Sequence, residues 1–285
     1  MSDRPITIAL PKGRMFDSLV GLLAQAGLVV EGGGRSYRPR SPDPRVAIKI
    51  LKPQNIPPLV GLGRHDLGFT GHDWVIESGA EVEELDDLGL EPVRLVAAAP
   101  EAFREPDPGG PPLVIASEYE RITRRWVEGR AWPYRFVRSW GATEVFPPED
   151  ADVIVDNSAT GQTLREHGLV ELDEIMRSTT RFIAAPRATQ RLDVRAFAED
   201  LVLLMRGVRA AAQRVILEMN VHNGNLDQII ALLPAMKNPT VARLADGSHA
   251  LKAAVPSVDV ARLIPRLKAL GASDILEYPI RKVIP

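Results

Sequence analysis

The chain has 285 residues, 45% of them hydrophobic, a formal net charge of −2 and no cysteine. That length allows two or three domains with sizeable cores; the charge balance argues against an electrostatic nucleic-acid binder; the missing thiols exclude disulfides and thiolate metal sites and fit a reducing cytoplasm. The start, Met1-Ser2-Asp3-Arg4-Pro5, has no secretory apolar run and no segment nears the roughly 20 apolar residues of a membrane helix, so a cytoplasmic protein is expected, bound to neither membrane nor nucleic acid.

Ile6 to Leu10 predicts a buried strand. Pro11-Lys12-Gly13-Arg14 follows, then an amphipathic helix with Phe16, Leu19, Leu22, Leu23 and Ala26 at helical spacing and Gly27 suited to its C-terminal cap. Val46 to Leu51 predicts a second strand, which runs through Lys52 to Pro57 or Pro58, where proline fits a first helical turn. Asp66 to Gly71 predicts a third strand ending in a Thr70-Gly71 turn, with Asp73 placed to cap the next helix. The acidic run Glu81 to Asp87 reads as a solvated face. Strands alternating with helices indicate an α/β domain with a mostly parallel sheet.

Val93 to Ala99 is strongly apolar, and Glu105 to Pro112, rich in Pro and Gly, reads as an exposed loop. A second α/β pattern follows: Leu113 to Ala116, a helix from Tyr119 to Glu128, Tyr134 to Val137, and the β-branched run Val153-Ile154-Val155. Thr180 to Ala185 predicts one more strand, which carries the chain back to the first lobe. Two such lobes leave a cleft suited to a small ligand. Asp193 to Arg214 predicts a long helix with Val194, Phe197, Leu201, Leu204, Met205 and Val208 as its apolar stripe. The remaining elements run Val215 to Val221, Leu226 to Leu233, Thr240 to Leu244, His249 to Val255, Val258 to Leu270 and Asp274 to Ile280. That is β-α-β-β-α-β, the ferredoxin-like order, here read as an effector module.

The chemistry concentrates after the Val153 run. Asp156-Asn157-Ser158-Ala159-Thr160-Gly161-Gln162-Thr163 builds a strand end, a tight loop and a helix start. Such a loop offers backbone N–H groups and the positive end of a helix to an anion, and Ser158, Thr160 and Thr163 add hydroxyl donors. Asp156 has the wrong charge for a phosphate. It suits ribose hydroxyls or a Mg²⁺ that bridges a phosphate, so a phosphorylated sugar is indicated. Lys12 and Arg14 place two cations at a helix start, which is unfavourable for the helix dipole and favourable for an anionic ligand. Lys52 ends the second strand in a similar place, Thr70-Gly71 offers donors to a base or a phosphate, and Glu144 offers a carboxylate to a hydroxyl or metal. The five histidines lack zinc spacing, and neither a Gly-x-Ser-x-Gly elbow nor a Walker loop occurs.

Leu10-Pro11-Lys12-Gly13-Arg14, Asp66 to Asp73, Arg94 to Pro100 and the Val155 to Leu164 loop together resemble the ATP phosphoribosyltransferase family. The resemblance continues through Ala231 to Pro234, Pro239-Thr240-Val241 and Leu270 to Leu276, and so covers nearly the whole chain. It implies a two-lobed catalytic region like type II periplasmic binding proteins, plus a C-terminal ferredoxin-like regulatory domain, as in the long form. The implied division is 1–94 with 180–211 as lobe I, 95–179 as lobe II and 212–285 as the regulatory domain. The implied reaction joins N1 of the ATP adenine to C1 of phosphoribosyl pyrophosphate, with Mg²⁺ and release of pyrophosphate. Lys12, Arg14 and Lys52 would be catalytic. Asp156, Asn157, Ser158, Ala159, Thr160, Gly161, Gln162 and Thr163 would bind phosphoribosyl pyrophosphate, with Asp156 also near the metal. Gly13, Thr70, Gly71, Asp73 and Glu144 would meet ATP. Asn220 and Thr240 would meet histidine as feedback inhibitor, and a dimer assembling to a hexamer is implied.

The chain departs from the family pattern at Lys52, which replaces an arginine and loses bidentate geometry. Asn55 replaces an aspartate, Asn157 an apolar residue, and Glu118 a lysine. Asn220 stands where some members have an acid, which implies weak histidine inhibition. These substitutions also suit a regulatory member that senses nucleotides or histidine with little turnover. The bilobal pattern alone suits a solute-binding protein.

Overall fold

Among the described residues, two five-stranded sheets and one four-stranded sheet organise the fold. The computed structural model describes residues 4–32, 36–107, 109–235 and 238–284. Met1 to Asp3, part of the start considered above, and Pro108 of the Glu105 to Pro112 segment lie outside the described residues; the rest of that segment carries no helix or strand. The chain divides into two units, Met1–Ala24 with Leu28–Glu199 and Gln25–Gly27 with Asp200–Pro285. Among the described residues no helix is long and apolar enough to cross a membrane.

In chain order the first unit begins with β1 (Ile6–Pro11), α1 (Met15–Ala26), β2 (Val46–Leu51), α2 (Ile56–Gly61), β3 (Leu67–Gly71), α3 (His72–Ser78) and β4 (Glu83–Asp87). It continues with β5 (Val93–Pro100), β6 (Leu113–Ser117), α4 (Glu120–Gly129), β7 (Tyr134–Arg138), β8 (Val153–Ser158), α5 (Gln162–Glu166), β9 (Leu169–Ser178) and β10 (Thr180–Ala184). The sheet orders are β2-β1-β3-β10-β4 and β7-β6-β8-β5-β9. Each sheet has three parallel strands, then a strand arriving from the other lobe, then an edge strand. This repeated plan is the α/β, type II periplasmic-binding-protein-like architecture. β1 and β3 are almost wholly buried, as central strands covered on both faces must be. Phe69 on β3 stacks on Phe182 of β10 with centroids 4.5 Å apart. A Cβ at Gly68 would stand 2.8 Å from Ile56 and 2.9 Å from Val60, so α2 lies directly on the β3 backbone.

The expectation of a mostly parallel sheet is corrected: both sheets are mixed. β10 runs antiparallel to β3 and β4, and β5 runs antiparallel to β8 and β9. A strand that returns from the other lobe enters its sheet from the opposite end. The two crossings run side by side, since Leu88 N donates to Thr180 O and Thr180 N to Leu90 O, each at 2.9 Å. The acidic run does present a solvated face, with Glu81, Glu83, Glu84 and Asp87 exposed and only Asp86 buried, but it is also a strand. Glu83–Asp87 is the edge strand β4, and Arg181 on β10 reaches Glu84 at 3.4 Å and Asp87 at 2.6 Å. Charge on an edge also discourages pairing with a second sheet. β9 goes unread in the sequence because two register shifts against β5 break its alternation.

α6 (Leu192–Ala212) leads into β11 (Arg214–Val221), α7 (Leu226–Leu232), β12 (Thr240–Arg243), β13 (His249–Pro256), α8 (Val260–Ala269) and β14 (Ser273–Pro279). The sheet is antiparallel in the order β12-β13-β11-β14, the ferredoxin-like arrangement. Leu217, Met219, Val221, Leu251, Val255, Leu263 and Leu267 close a core between this sheet and its own helices α7 and α8.

Candidate functional site

β8 lies between β6 and β5, and its carboxyl end is where open α/β sheets hold ligands. The strand continues to Ser158, three residues beyond the run read from the sequence, so Asp156 and Asn157 are strand residues opposite Val96 and Leu95 of β5. The chain then turns through Ala159, Thr160 and Gly161. Gly161 has φ +72°, a left-handed conformation that glycine adopts without penalty, and α5 starts at the next residue. The turn is pre-folded: Gly161 N donates to Ser158 Oγ at 2.9 Å and Gln162 N to Thr160 Oγ1 at 3.4 Å. Ser158 is buried. Ala159, Thr160, Gln162 and Thr163 are exposed along a cavity of about 370 Å³ that Asp156, Asn157, Gly161, Glu144 and Arg14 also line.

This cavity is rich in carboxylates. Burial pushes the Asp156 carboxyl up to about 6, and the nearby Glu144 and Glu118 carboxylates push the same way, against the Asn157 N–H that donates to it. The Asn157 N to Asp156 Oδ1 distance is 2.7 Å. Among the described residues no three ligating side chains are grouped to hold a metal ion. A hard cation at Asp156 would therefore need further oxygens from a ligand.

A second cavity, of about 290 Å³, shares Arg14 and Asn157 with the first and adds Lys12, Gly71, Asp73, Tyr119 and Ser178. Arg14 pairs with Glu91 at 3.3 Å. Lys12 Nζ donates to Tyr37 Oη at 2.8 Å and sits 4.8 Å from that ring's centroid. Gly13 lines a third hollow of about 210 Å³ beside Tyr37. Asp73 does not cap α3. The capping position is Gly71, and the Asp73 carboxylate, buried, accepts from Ser178 Oγ and from Tyr119 Oη, the latter at 2.8 Å. Asn157 Nδ2 donates to Tyr119 Oη at 3.4 Å. Burial and the Asp73 charge hold the Tyr119 hydroxyl well above its ordinary range, so it stays a donor.

The expected residues are therefore brought together unevenly. Thr70 is fully buried with its hydroxyl committed to the Pro53 carbonyl at 2.9 Å, so its side chain reaches neither cavity. Lys52 is exposed just past β2 and is not among the described residues lining either cavity. Tyr119 and Ser178 went unpicked; Ser178 ends the unread β9, and Tyr119 looked like an ordinary helix start. In the C-terminal sheet, Asn220 and Thr240 share the face of Glu218 and Lys252 but stand two strands apart, on β11 and β12. Asn220 Nδ2 donates to Asp274 at 2.9 Å.

Two family models match the chain, one described as ATP phosphoribosyltransferase over residues 52–207 and one as HisG, C-terminal domain, over residues 211–282. A protein of Koribacter versatilis named ATP phosphoribosyltransferase is 38% identical over 288 residues, 98% of this chain and 99% of that one. One of the same name from Thermodesulfovibrio yellowstonii is 34% identical over 294 residues, spanning 100% of both. Among solved structures, the ATP phosphoribosyl transferase (HisG:HisZ) complex from Thermotoga maritima matches with TM-score 0.62 at 27% identity, over 70% of this chain and 98% of that one.

Proposed function

The chain belongs to the ATP phosphoribosyltransferase family in its long form, the transferases of the first step of histidine biosynthesis, and we propose that the β8–α5 loop holds phosphoribosyl pyrophosphate while N1 of the ATP adenine attacks C1 of the ribose. The C1–N1 bond forms as the C1–O bond to pyrophosphate breaks, and the bonding pair leaves with pyrophosphate. One observation carries this reading: a pre-folded turn of N–H and hydroxyl donors begins two residues after a carboxylate, in one cavity. Backbone N–H groups of Ala159, Thr160 and Thr163 and the hydroxyls of Thr160 and Thr163 take the 5-phosphate. Asp156 accepts from the ribose hydroxyls. Arg14, shared by both cavities, and Lys12 neutralise charge that develops on the departing pyrophosphate, often the largest contribution to such catalysis. Lys52 would have to swing in.

The family needs a divalent metal, and the donor set fits one shared with substrate. Asp156 with Glu144 supplies the one or two carboxylates that Mg²⁺ takes beside phosphate oxygens. When bound, the ion offsets phosphate charge that the carboxylate-lined cavity would otherwise repel. Asp73 fixes the Tyr119 hydroxyl, and Tyr119 in turn accepts from Asn157. ATP would lie across the hollows, beside Gly71, Asp73 and Gly13 in the second and third and with its adenine toward Glu144 in the first.

Histidine is the proposed inhibitor, bound to the polar face of the C-terminal sheet near Asn220 and Thr240. Because Asn220 brings an amide already engaged with Asp274, inhibition should be weak. The proposed domains are 1–94 with 180–211, 95–179 and 212–285, and the two five-stranded sheets support the first two. A cytoplasmic dimer that assembles to a hexamer completes the reading. The test follows the ultraviolet absorbance of N1-ribosylated adenine with ATP, phosphoribosyl pyrophosphate, Mg²⁺ and a pyrophosphatase, with and without histidine. A rise that histidine slows is expected. Folded protein that gives no rise would overturn the reaction, and a rise indifferent to histidine would overturn the effector assignment.

A further inference from the structure

Of the four tryptophans, Trp74 stacks on Tyr119, and Trp126 and Trp132 pack edge to face in a cluster with Phe103. Trp140 stands apart, 85% exposed. Its neighbours are not loose. Ser139 is buried, takes a backbone hydrogen bond from its N–H to Ser117 O at 3.1 Å, and meets Thr143 Oγ1 at 2.8 Å. The next two residues, Gly141 at φ +102° and Ala142 at φ +49°, turn the chain into the first cavity and line it. Trp140 thus sits on a braced turn, one residue before Gly141 and Ala142, which line that cavity.

The ring already has one face engaged. The Arg138 guanidinium lies 5.7 Å from its centroid and is anchored to Glu118 O at 2.9 Å and Glu120 Oε2 at 2.7 Å. Glu118 itself lines the cavity. The other face is open. A purine that attacks a ribose held at Asp156 must come into this cavity, and its flat faces need an apolar cover. Among the described residues lining the cavity none is aromatic.

We propose that Trp140 is a stacking residue for the adenine ring of ATP, clamped from behind by Arg138. The inference rests on the ATP reading above and adds the residue that selects a planar base. Base–aromatic stacking tolerates every base because each has a π face. Trp140 would therefore favour nucleotides over other polyphosphates, and polar groups such as Glu144 would choose among bases.

The full-length chain tests this through acrylamide quenching of tryptophan fluorescence with ATP alone, and through steady-state kinetics of Trp140→Ala and Trp140→Phe. ATP should shield wild-type fluorescence, and Trp140→Ala should lose most of that shielding, since only Trp74 of the second cavity remains near ATP. Trp140→Ala should raise KM for ATP about tenfold, with a smaller change in kcat and an unchanged KM for phosphoribosyl pyrophosphate, and Trp140→Phe should recover most of the loss. Unshielded wild-type fluorescence together with an unchanged KM for ATP in Trp140→Ala would overturn the proposal. So would an altered sedimentation coefficient in that variant with KM for ATP intact, since the ring would then cover another subunit. Shielding needs no turnover, so a chain that shields Trp140 but makes no phosphoribosyl-ATP would sink the reaction and not the stacking.

Discussion

Asp156 carries two opposed demands. Its carboxyl, raised to about 6 by burial and by Glu144 and Glu118, holds its proton more tightly in the fold than in the unfolded chain. Between the ordinary carboxylate range and about 6, folding takes up a proton, so stability falls as pH rises through that window and the penalty is complete above it. Asp156→Asn should therefore unfold at higher urea than wild type at pH 8, by about 1–2 kcal/mol after allowance for screening, with no gain at pH 4. The same change should lower kcat/KM for phosphoribosyl pyrophosphate by about ten- to a hundredfold, the worth of hydrogen bonds to a charged acceptor. In the wild type, kcat/KM should fall as pH drops through about 6; a profile flat to pH 5 would mean that ribose is held elsewhere. Tyr119→Phe removes a donor from the buried Asp73 carboxylate and should destabilise by about 1–3 kcal/mol in denaturant. The loop residues were legible because eight consecutive positions spell out the turn. The Asp73–Tyr119–Ser178 set was not: its members converge from α3, the start of α4 and the end of β9, and Asp73 and Ser178 lie 105 residues apart.

Strands buried on both sides announce themselves, and β1, β6 and β8 could be read from short apolar runs, as could the half-buried edge β2. β4 and β9 could not. β4 is an acidic edge whose partner Arg181 lies far along the chain, and β9 carries charges at irregular intervals because it bulges against β5. The parallel expectation failed for the related reason that direction in a sheet depends on where a strand comes from. Two glycines measure how tightly the first sheet is dressed. Gly68→Ala would press a methyl group onto Ile56 and Val60, and should cost about 1–3 kcal/mol as α2 lifts from β3. Gly21→Ala, on α1 with open space around the new methyl, should gain about 0.5–1 kcal/mol. Thermal unfolding of the pair reads both signs at once; a Gly68→Ala protein as stable as wild type would mean that the α2–β3 approach is looser than described.

The C-terminal core runs from Val215 to Ile275 across one sheet and its two helices α7 and α8. A fragment of residues 212–284 should fold alone, with a dispersed amide spectrum and a single cooperative transition, although so small a domain is only marginally stable. A random-coil spectrum would show that the core needs the rest of the chain. The two crossings between the five-stranded sheets carry a different consequence. Both covalent links between the lobes belong to one antiparallel ribbon, bonded at Leu88, Leu90 and Thr180. Separate threads would let the lobes tumble about many axes; a ribbon bends easily across its flat and resists shear along its length. Any closure on substrate should therefore proceed by twist and flexion of one leaf spring. The amide hydrogens of Leu88 and Thr180 are its gauge, and their exchange should slow when phosphoribosyl pyrophosphate draws the lobes together.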